Sequence, residues 1–348
     1  MIQDKVTEFL GRFAADLAAT EAAGSVAVGY RLGLYQALAQ GPATPAAFAA
    51  RTGCNERYLT EWLRGQAAGG YASYDPATEE FSLTEEQAFC LADPNGPNVS
   101  AAFLAALGML RAEPKISAAF RTGEGVGWHE HHEDVFVGCD AFYRPGYVAD
   151  LVPNWIPALD GVEAKLARGA RVADVGCGLG SSSRLLAEAF PNSIVTGFDY
   201  HAESIALARK QAAEDGLADR VGFEVAAAQD FAGTGYDLVA MFDCLHDMGD
   251  PLGAARHIRD ALSPDGTWLL VEPNSSDRVE ENFTTVGRLY YSGSTFLCLP
   301  NSLSQPGGYA LGAQAGESAV RELATAAGFG SFRRVAESAF NVVYEIRL

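Results

Sequence analysis

Hydrophobic and polar positions change period once along this chain, and the change divides it. Residues 2–39 are rich in alanine and leucine at helical spacing, with Val28, Leu32, Tyr35 and Leu38 recurring on one face. Gly41-Pro42 stops that run. Thr44 and Asn55 each stand where an N-cap belongs, predicting helices over 45–51 and 56–68. Residues 71–74 and 80–83 read as two short strands around Asp75-Pro76-Ala77-Thr78. Helix, turn, helix and a two-stranded wing predict a winged helix over residues 1–95. Residues 98–120 are again apolar and helical, with a break expected near Gly108. Residues 141–168 return to helix, with a break near Trp155 and Pro157, so 96–168 reads as a helical linker and substrate lid.

From residue 171 short apolar strands alternate with amphipathic helices. Strands are predicted up to 175 and over 194–198, 221–225, 237–242 and 267–271. Helices are predicted over 184–190, 203–215, 251–262 and 316–327, and two strands close the chain over about 331–337 and 340–347. This alternation predicts an α/β, doubly wound, Rossmann-like sheet over residues 169–348. Residues 274–314, rich in Tyr, Ser and Gly, interrupt it as an insertion.

Composition narrows the partners. The chain has 348 residues, 48% of them hydrophobic, enough for two domains with a sizeable core. No apolar run reaches the roughly 18 residues of a membrane span, and the first ten residues lack the basic end and apolar stretch of a signal peptide. A soluble, cytoplasmic protein is expected. The net charge of −19 argues against nucleic acid and anionic membranes as partners. Residues 1–100 carry six Lys/Arg against twelve Asp/Glu, which sets the winged helix apart from a DNA reader. Its long apolar helices have more hydrophobic face than one small domain covers, so a homodimer is expected, with a heteromeric pathway partner left open. Six cysteines without a C-x-x-C pair read as reduced thiols.

Candidate chemistry concentrates in residues 171–183. A β-branched strand runs into Gly176, Gly178 and Gly180, and Ser181–Ser183 stand where they can cap the following helix. Such a turn exposes backbone N–H groups to a ligand. A dinucleotide fingerprint would place glycine at 181, where this chain has serine, and Asp174 precedes the first glycine by two residues. Asp199 ends the second strand, 23 residues after Gly176, and an acid there can bind both hydroxyls of a ribose. Gln229-Asp230 follows the third strand, where an adenine amino group would lie.

These residues, with Ala228-Gln229-Asp230 and Phe242-Asp243-Cys244-Leu245-His246-Asp247, resemble class I S-adenosylmethionine methyltransferases with an N-terminal winged helix. This is the layout of plant and actinobacterial small-molecule O-methyltransferases. Trp128-His-Glu-His-His, Arg144-Pro-Gly-Tyr147 and Leu311-Gly-Ala-Gln-Ala-Gly-Glu317 are similar to one uncharacterised actinobacterial group. The resemblance implies S-adenosylmethionine as cofactor, held by Asp174, Gly176, Cys177, Gly178, Asp199, Tyr200, Ala228, Gln229, Asp230, Phe242 and Asp243. A small-molecule acceptor is expected, met by Trp128, His129, His132, Tyr147 and Tyr291; the resemblance does not supply its identity, and departures from the group at Leu179, Pro306-Gly307 and in the insertion point to a natural-product substrate. In plant-type relatives a His-Asp pair after the fourth strand carries the general base, which points to His246, with Asp247 to orient it. The alternative at His246 is a residue that only orders its loop or binds substrate. Nitrogen and carboxylate groups at 129–134 could suit a metal, but helical H-x-x-x-H spacing is missing; a substrate-pocket wall or lid is the preferred reading, with a solvated surface loop as the alternative. Two other functions compete: a methyltransferase-like enzyme performing a non-methylating elimination or cyclisation, and a non-catalytic winged-helix regulator. A retained cofactor fold does not prove retained chemistry.

Overall fold

A computed structural model describes residues 3–93 and 96–348. Residues 1, 2, 94 and 95, at the two ends of the expected first domain, lie outside the described residues. The chain divides into two compact units. One takes the residues up to Gly108 together with Val137–Pro145, and the other takes Met109–Phe136 and Gly146–Leu348. The stretch 96–168, expected as a separate linker and lid, is therefore shared between them. Among the described residues, no helix is long and apolar enough to cross a membrane.

In the first unit, helix Gln3–Arg31 ends at a turn where Gly33 has φ +65°, and the chain restarts as Leu34–Leu38. That turn splits the face expected to be continuous: Tyr35 and Leu38 are buried, while Val28 and Leu32 are exposed. Thr44 Oγ1 accepts the Ala47 N–H, and Asn55 Oδ1 accepts those of Arg57 and Tyr58, so both expected caps form. They open helices Pro45–Thr52 and Glu56–Ala68. Strands β1 (Ser73–Asp75) and β2 (Glu80–Ser82) pair antiparallel as the wing. Tyr35, Phe48, Leu59, Trp62, Leu63 and Phe81 form the core. Its two polar tips are satisfied: Tyr35 Oη donates to Gln66 Oε1 at 2.7 Å and Trp62 Nε1 donates to the Ser25 carbonyl at 2.9 Å.

The second unit is built on seven strands: β3 (Arg171–Val175), β4 (Ile194–Asp199), β5 (Val221–Val225), β6 (Tyr236–Phe242), β7 (Leu262–Pro273), β8 (Ser331–Glu337) and β9 (Asn341–Arg347). Their order is β5-β4-β3-β6-β7-β9-β8. The first five are parallel, and β9 runs antiparallel to both of its neighbours. Buried Val172, Ala173, Val175, Val239, Met241, Trp268 and Leu270 make the strands apolar on both faces, as a sheet covered by helices on each side requires. The order reverses between β3 and β6, so the crevice for a ligand opens at the carboxyl ends of these strands. Outside the sheet, the break expected at Gly108 falls at Ala112, between Phe103–Arg111 and Glu113–Thr122. The break near Trp155 is a π turn over Leu151–Trp155. The insertion is helical, with Thr285–Phe296 and Cys298–Ser304.

Candidate active site

Strand β3 delivers the glycine turn to the crevice. Gly176, Gly178 and Gly180 all have positive φ (+76°, +52° and +77°). A Cβ at 176 would lie 2.5 Å from Cys244 Sγ, whereas one at 178 would meet nothing within 4 Å, so the backbone at Gly178 faces open space. The following helix, Ser181–Ala189, starts three residues earlier than predicted, with Gly180 as its N-cap. The serines do not cap it. Ser182 and Ser183 hydroxyls donate instead to Asp174 Oδ2, at 2.6 and 2.5 Å. Asp174 is 0% exposed and its Oδ1 has no hydrogen-bond partner. Burial pushes its pKa up to about 6 against the pull of the two hydroxyls. Cys177 is buried, and burial raises its thiol well above the ordinary range, so it offers backbone rather than a nucleophile.

At the end of β4, Asp199 Oδ2 accepts the Gly178 N–H at 2.9 Å and Oδ1 accepts that of His201 at 2.8 Å. One carboxylate thus ties the glycine turn to the neighbouring strand. Tyr200 is 41% exposed, yet its hydroxyl turns inward to Asn301 Oδ1 at 2.9 Å. After β5, Ala228 packs on the main core, Asp230 Oδ1 accepts the Ala227 N–H, and Gln229 Nε2 donates to the Asp250 carbonyl.

At the end of β6 the Phe242 ring packs against Tyr147 and Trp155, at 5.2 and 6.4 Å between centroids, and those two also touch each other at 6.1 Å. Asp243 sits in the left-handed region (φ +52°), a conformation that costs energy for a residue other than glycine and tends to mark functional sites. Its oxygens accept from Tyr147 Oη at 3.3 Å and Asn341 Nδ2 at 2.7 Å. Burial, helped by the nearby Glu272, raises its carboxyl well above the usual range. A single 3₁₀ turn, Leu245–Asp247, then carries His246 inward to 2% exposure.

The partner of His246 corrects the sequence expectation. Its Nδ1 lies 2.8 Å from Glu272 Oε2, while Glu272 Oε1 accepts the Leu245 N–H at 3.1 Å. Glu272, 26 residues later on β7, holds the imidazole; the adjacent Asp247 does not. Consecutive residues of a tight turn point apart, whereas the parallel pairing of β6 and β7 brings their ends side by side. Burial alone would lower the imidazole pKa, but the Glu272 carboxylate, with the Cys298 thiol beside the ring, outweighs it and holds the ring above its ordinary value. Burial pushes the Asp247 carboxyl up to about 7, countered by His246.

The 128–132 stretch does not converge as its histidines suggested. His129 and His132 are exposed, and His132 Nδ1 caps helix Glu133–Asp150 by accepting the Asp134 N–H at 3.1 Å. His131 turns inward instead: it is buried, neither ring nitrogen has a hydrogen-bond partner, and burial lowers its pKa. Among the described residues, no group of three His, Cys, Asp or Glu side chains could hold a metal ion. Trp128 is half-buried, with its N–H donating to Asn301 Oδ1 at 3.1 Å. Tyr291 is 37% exposed on the outer side of its helix. Its neighbour Tyr290 is the buried one, donating to the Phe340 carbonyl at 2.8 Å, with Asp243 and Glu272 close enough to raise its hydroxyl further after burial.

Residues 166–320 match the family described as Methyltransferase domain, and residues 21–93 match the Rv2258c-like winged HTH domain. The chain carries a methyltransferase domain behind a winged helix-turn-helix domain. Solved structures agree on the fold. Human N-acetylserotonin methyltransferase in complex with SAM superposes with a TM-score of 0.74, at 17% identity, over 100% of this chain and 99% of that one. The mitomycin 7-O-methyltransferase MmcR gives 0.69 at 23% identity, over 99% and 100%. Trans-aconitate 2-methyltransferase of Streptomyces avermitilis is 32% identical over 109 residues, 31% of this chain and 40% of that protein. The chain thus spans about two fifths of the length of that curated relative.

Proposed function

We propose that this protein is an S-adenosylmethionine-dependent methyltransferase acting on a small-molecule acceptor of the natural-product type. The observation that carries the reading is the join between Asp199 and the glycine turn at Gly178, beside the unpartnered Asp174 oxygen. Three features of the crevice fit the cofactor. Open space faces Gly178; Asp199 stands where a ribose diol would bind; and the strand-end acids Asp174, Asp199 and Asp243, whose pKa values burial raises, would regain their charge beside a cationic sulfonium. Gln229 and Asp230 would meet the adenine, and Tyr200, Ala228, Phe242 and Asp243 would line the same space. When bound, the cofactor supplies an electrophilic methyl group.

The chain's own part is positioning and proton management. Glu272 holds Nδ1 of His246, leaving Nε2 as the atom that would take a proton from an acceptor hydroxyl. A ring held above its ordinary pKa keeps its proton to higher pH, so the base form becomes available as pH rises. A second reading, in which His246 orders the loop, is favoured by its burial between Glu272 and Cys298. A rising alkaline limb that disappears in His246→Ala supports the base; a flat profile supports the loop role. Tyr147 would face the acceptor through its bond to Asp243, and Trp128 would form part of the wall.

Helix Gln3–Arg31 exposes Phe9, Leu10, Phe13 and Leu17, an apolar stripe at helical spacing, and this supports a homodimer. The functional test is release of S-adenosylhomocysteine on incubation with S-adenosylmethionine and a panel of hydroxylated aromatic acceptors. Product formed without consumption of S-adenosylmethionine would favour the non-methylating alternative.

A further inference from the structure

Asn301 lies within Cys298–Ser304 of the insertion and is 2% exposed. Its amide joins three distant stretches of the second unit. Oδ1 accepts from the Trp128 N–H at 3.1 Å and the Tyr200 hydroxyl at 2.9 Å, while Nδ2 donates to the Asp247 carbonyl at 3.2 Å. The orientation is fixed by its partners, because a backbone N–H can only donate and a backbone carbonyl can only accept. Each partner borders a different part of the site. Tyr200 follows Asp199, Asp247 follows His246, and Trp128 belongs to the wall stretch.

Neighbouring bonds make the junction stiff. Gln305 Nε2 donates to the carbonyls of Asp247 and Asn301, and its Oε1 accepts the Gly249 N–H at 3.1 Å. Ser302 Oγ donates to the Met248 carbonyl at 2.7 Å, and the Val126 N–H donates to the Pro300 carbonyl at 3.0 Å. The two backbones meet so closely that a Cβ at Gly125 would fall 2.0 Å from Ser304 N.

We propose that Asn301 is a positioning residue that couples cofactor binding at the end of β4 to the setting of the His246 loop. The proposal rests on the cofactor reading above. A buried amide that loses a partner is left with an unsatisfied polar group, so the three stretches shift together rather than singly. A ligand that takes hold of Asp199 moves Tyr200, changes its bond to Oδ1, and passes the change through Nδ2 to the Asp247 backbone and the His246 ring. Coupling of this kind typically changes affinity about 5- to 150-fold.

The test uses the full chain with S-adenosylhomocysteine as probe. Affinity is measured by calorimetry, and the His246 ring is followed by ¹⁵N NMR with and without saturating probe. In the wild type, binding shifts the His246 resonances. In Asn301→Asp, which keeps both acceptor bonds but sets a carboxylate against the Asp247 carbonyl, binding weakens about tenfold and the His246 shift disappears at saturation. Tyr200→Phe removes one hydroxyl only, and carries the test if Asn301→Asp does not fold; the same loss of response is expected. A purely structural role would lower the melting temperature and leave the response intact. A His246 shift that persists in the folded variants overturns the coupling while leaving the cofactor reading standing. A wild type that does not bind the probe overturns the cofactor reading, and the coupling with it.

Discussion

Replacing Glu272 by glutamine tests the buried pair directly. The substitution keeps the side chain's shape and leaves Oε1 to accept the Leu245 N–H, but removes the charge 2.8 Å from His246 Nδ1. With about 4 Å between charge centres and an effective dielectric near 20, the pair's attraction is about 4 kcal/mol. Losing that attraction lowers the imidazole pKa. Burial, which lowers the pKa, is then opposed only by the weaker effect of Cys298. The amide NH₂ would also face Nδ1 and donate to it, moving the ring proton to Nε2, the atom that must be free to act as a base. ¹⁵N NMR of the histidine rings across pH reads both effects. The expected result is a His246 midpoint lower than in the wild type, with the proton shifted from Nδ1 to Nε2. An unchanged midpoint with Nδ1–H retained would refute the reasoning. It would mean that Cys298 and the turn, rather than Glu272, set the state of the ring.

Asp199→Ala removes a carboxylate whose charged hydrogen bonds are worth about 1.5–3 kcal/mol, so calorimetry should show S-adenosylhomocysteine bound roughly 10- to 150-fold more weakly; unchanged affinity would remove Asp199 from the site. For Asp174, the folded pKa of about 6 lies above the unfolded value, so its contribution to stability is largest below pH 4 and falls as pH rises towards 6. The fall amounts to about 3 kcal/mol. Asp174→Asn should flatten the urea-unfolding profile over that range, and parallel profiles for variant and wild type would contradict the burial argument. Light scattering should give twice the 36.8 kDa chain mass. Phe13→Asp with Leu17→Asp should return it to one; a wild type that is already monomeric would end the dimer reading.

The sheet was legible because its strands are short β-branched runs separated by turn residues, and because the spacing from Gly176 to Asp199 reports one strand-helix-strand unit. Caps at Thr44 and Asn55 were legible for a similar reason: a cap is a local bond within three residues. Partnerships across the sheet were not. Glu272 meets His246 only because β6 and β7 pair in parallel, and in the sequence it stands as an acid closing a strand. Ser182 and Ser183 sit where caps belong, yet the buried Asp174 competes for both hydroxyls and wins them. Tyr290 and Tyr291 are indistinguishable by residue type; a step of about 100° on a helix decides which one is inside. Asn301 carried no signal, since a buried amide in an insertion is recognised only by what it touches.

The crevice above β3 and β4 is proposed to hold S-adenosylmethionine, and every role assigned to its residues depends on that. Calorimetric titration of the full chain with S-adenosylmethionine tests it most directly. Saturable binding at one site per chain is expected, with a dissociation constant well below about 1 mM, equivalent to more than about 4 kcal/mol. Absence of binding up to about millimolar cofactor would contradict it.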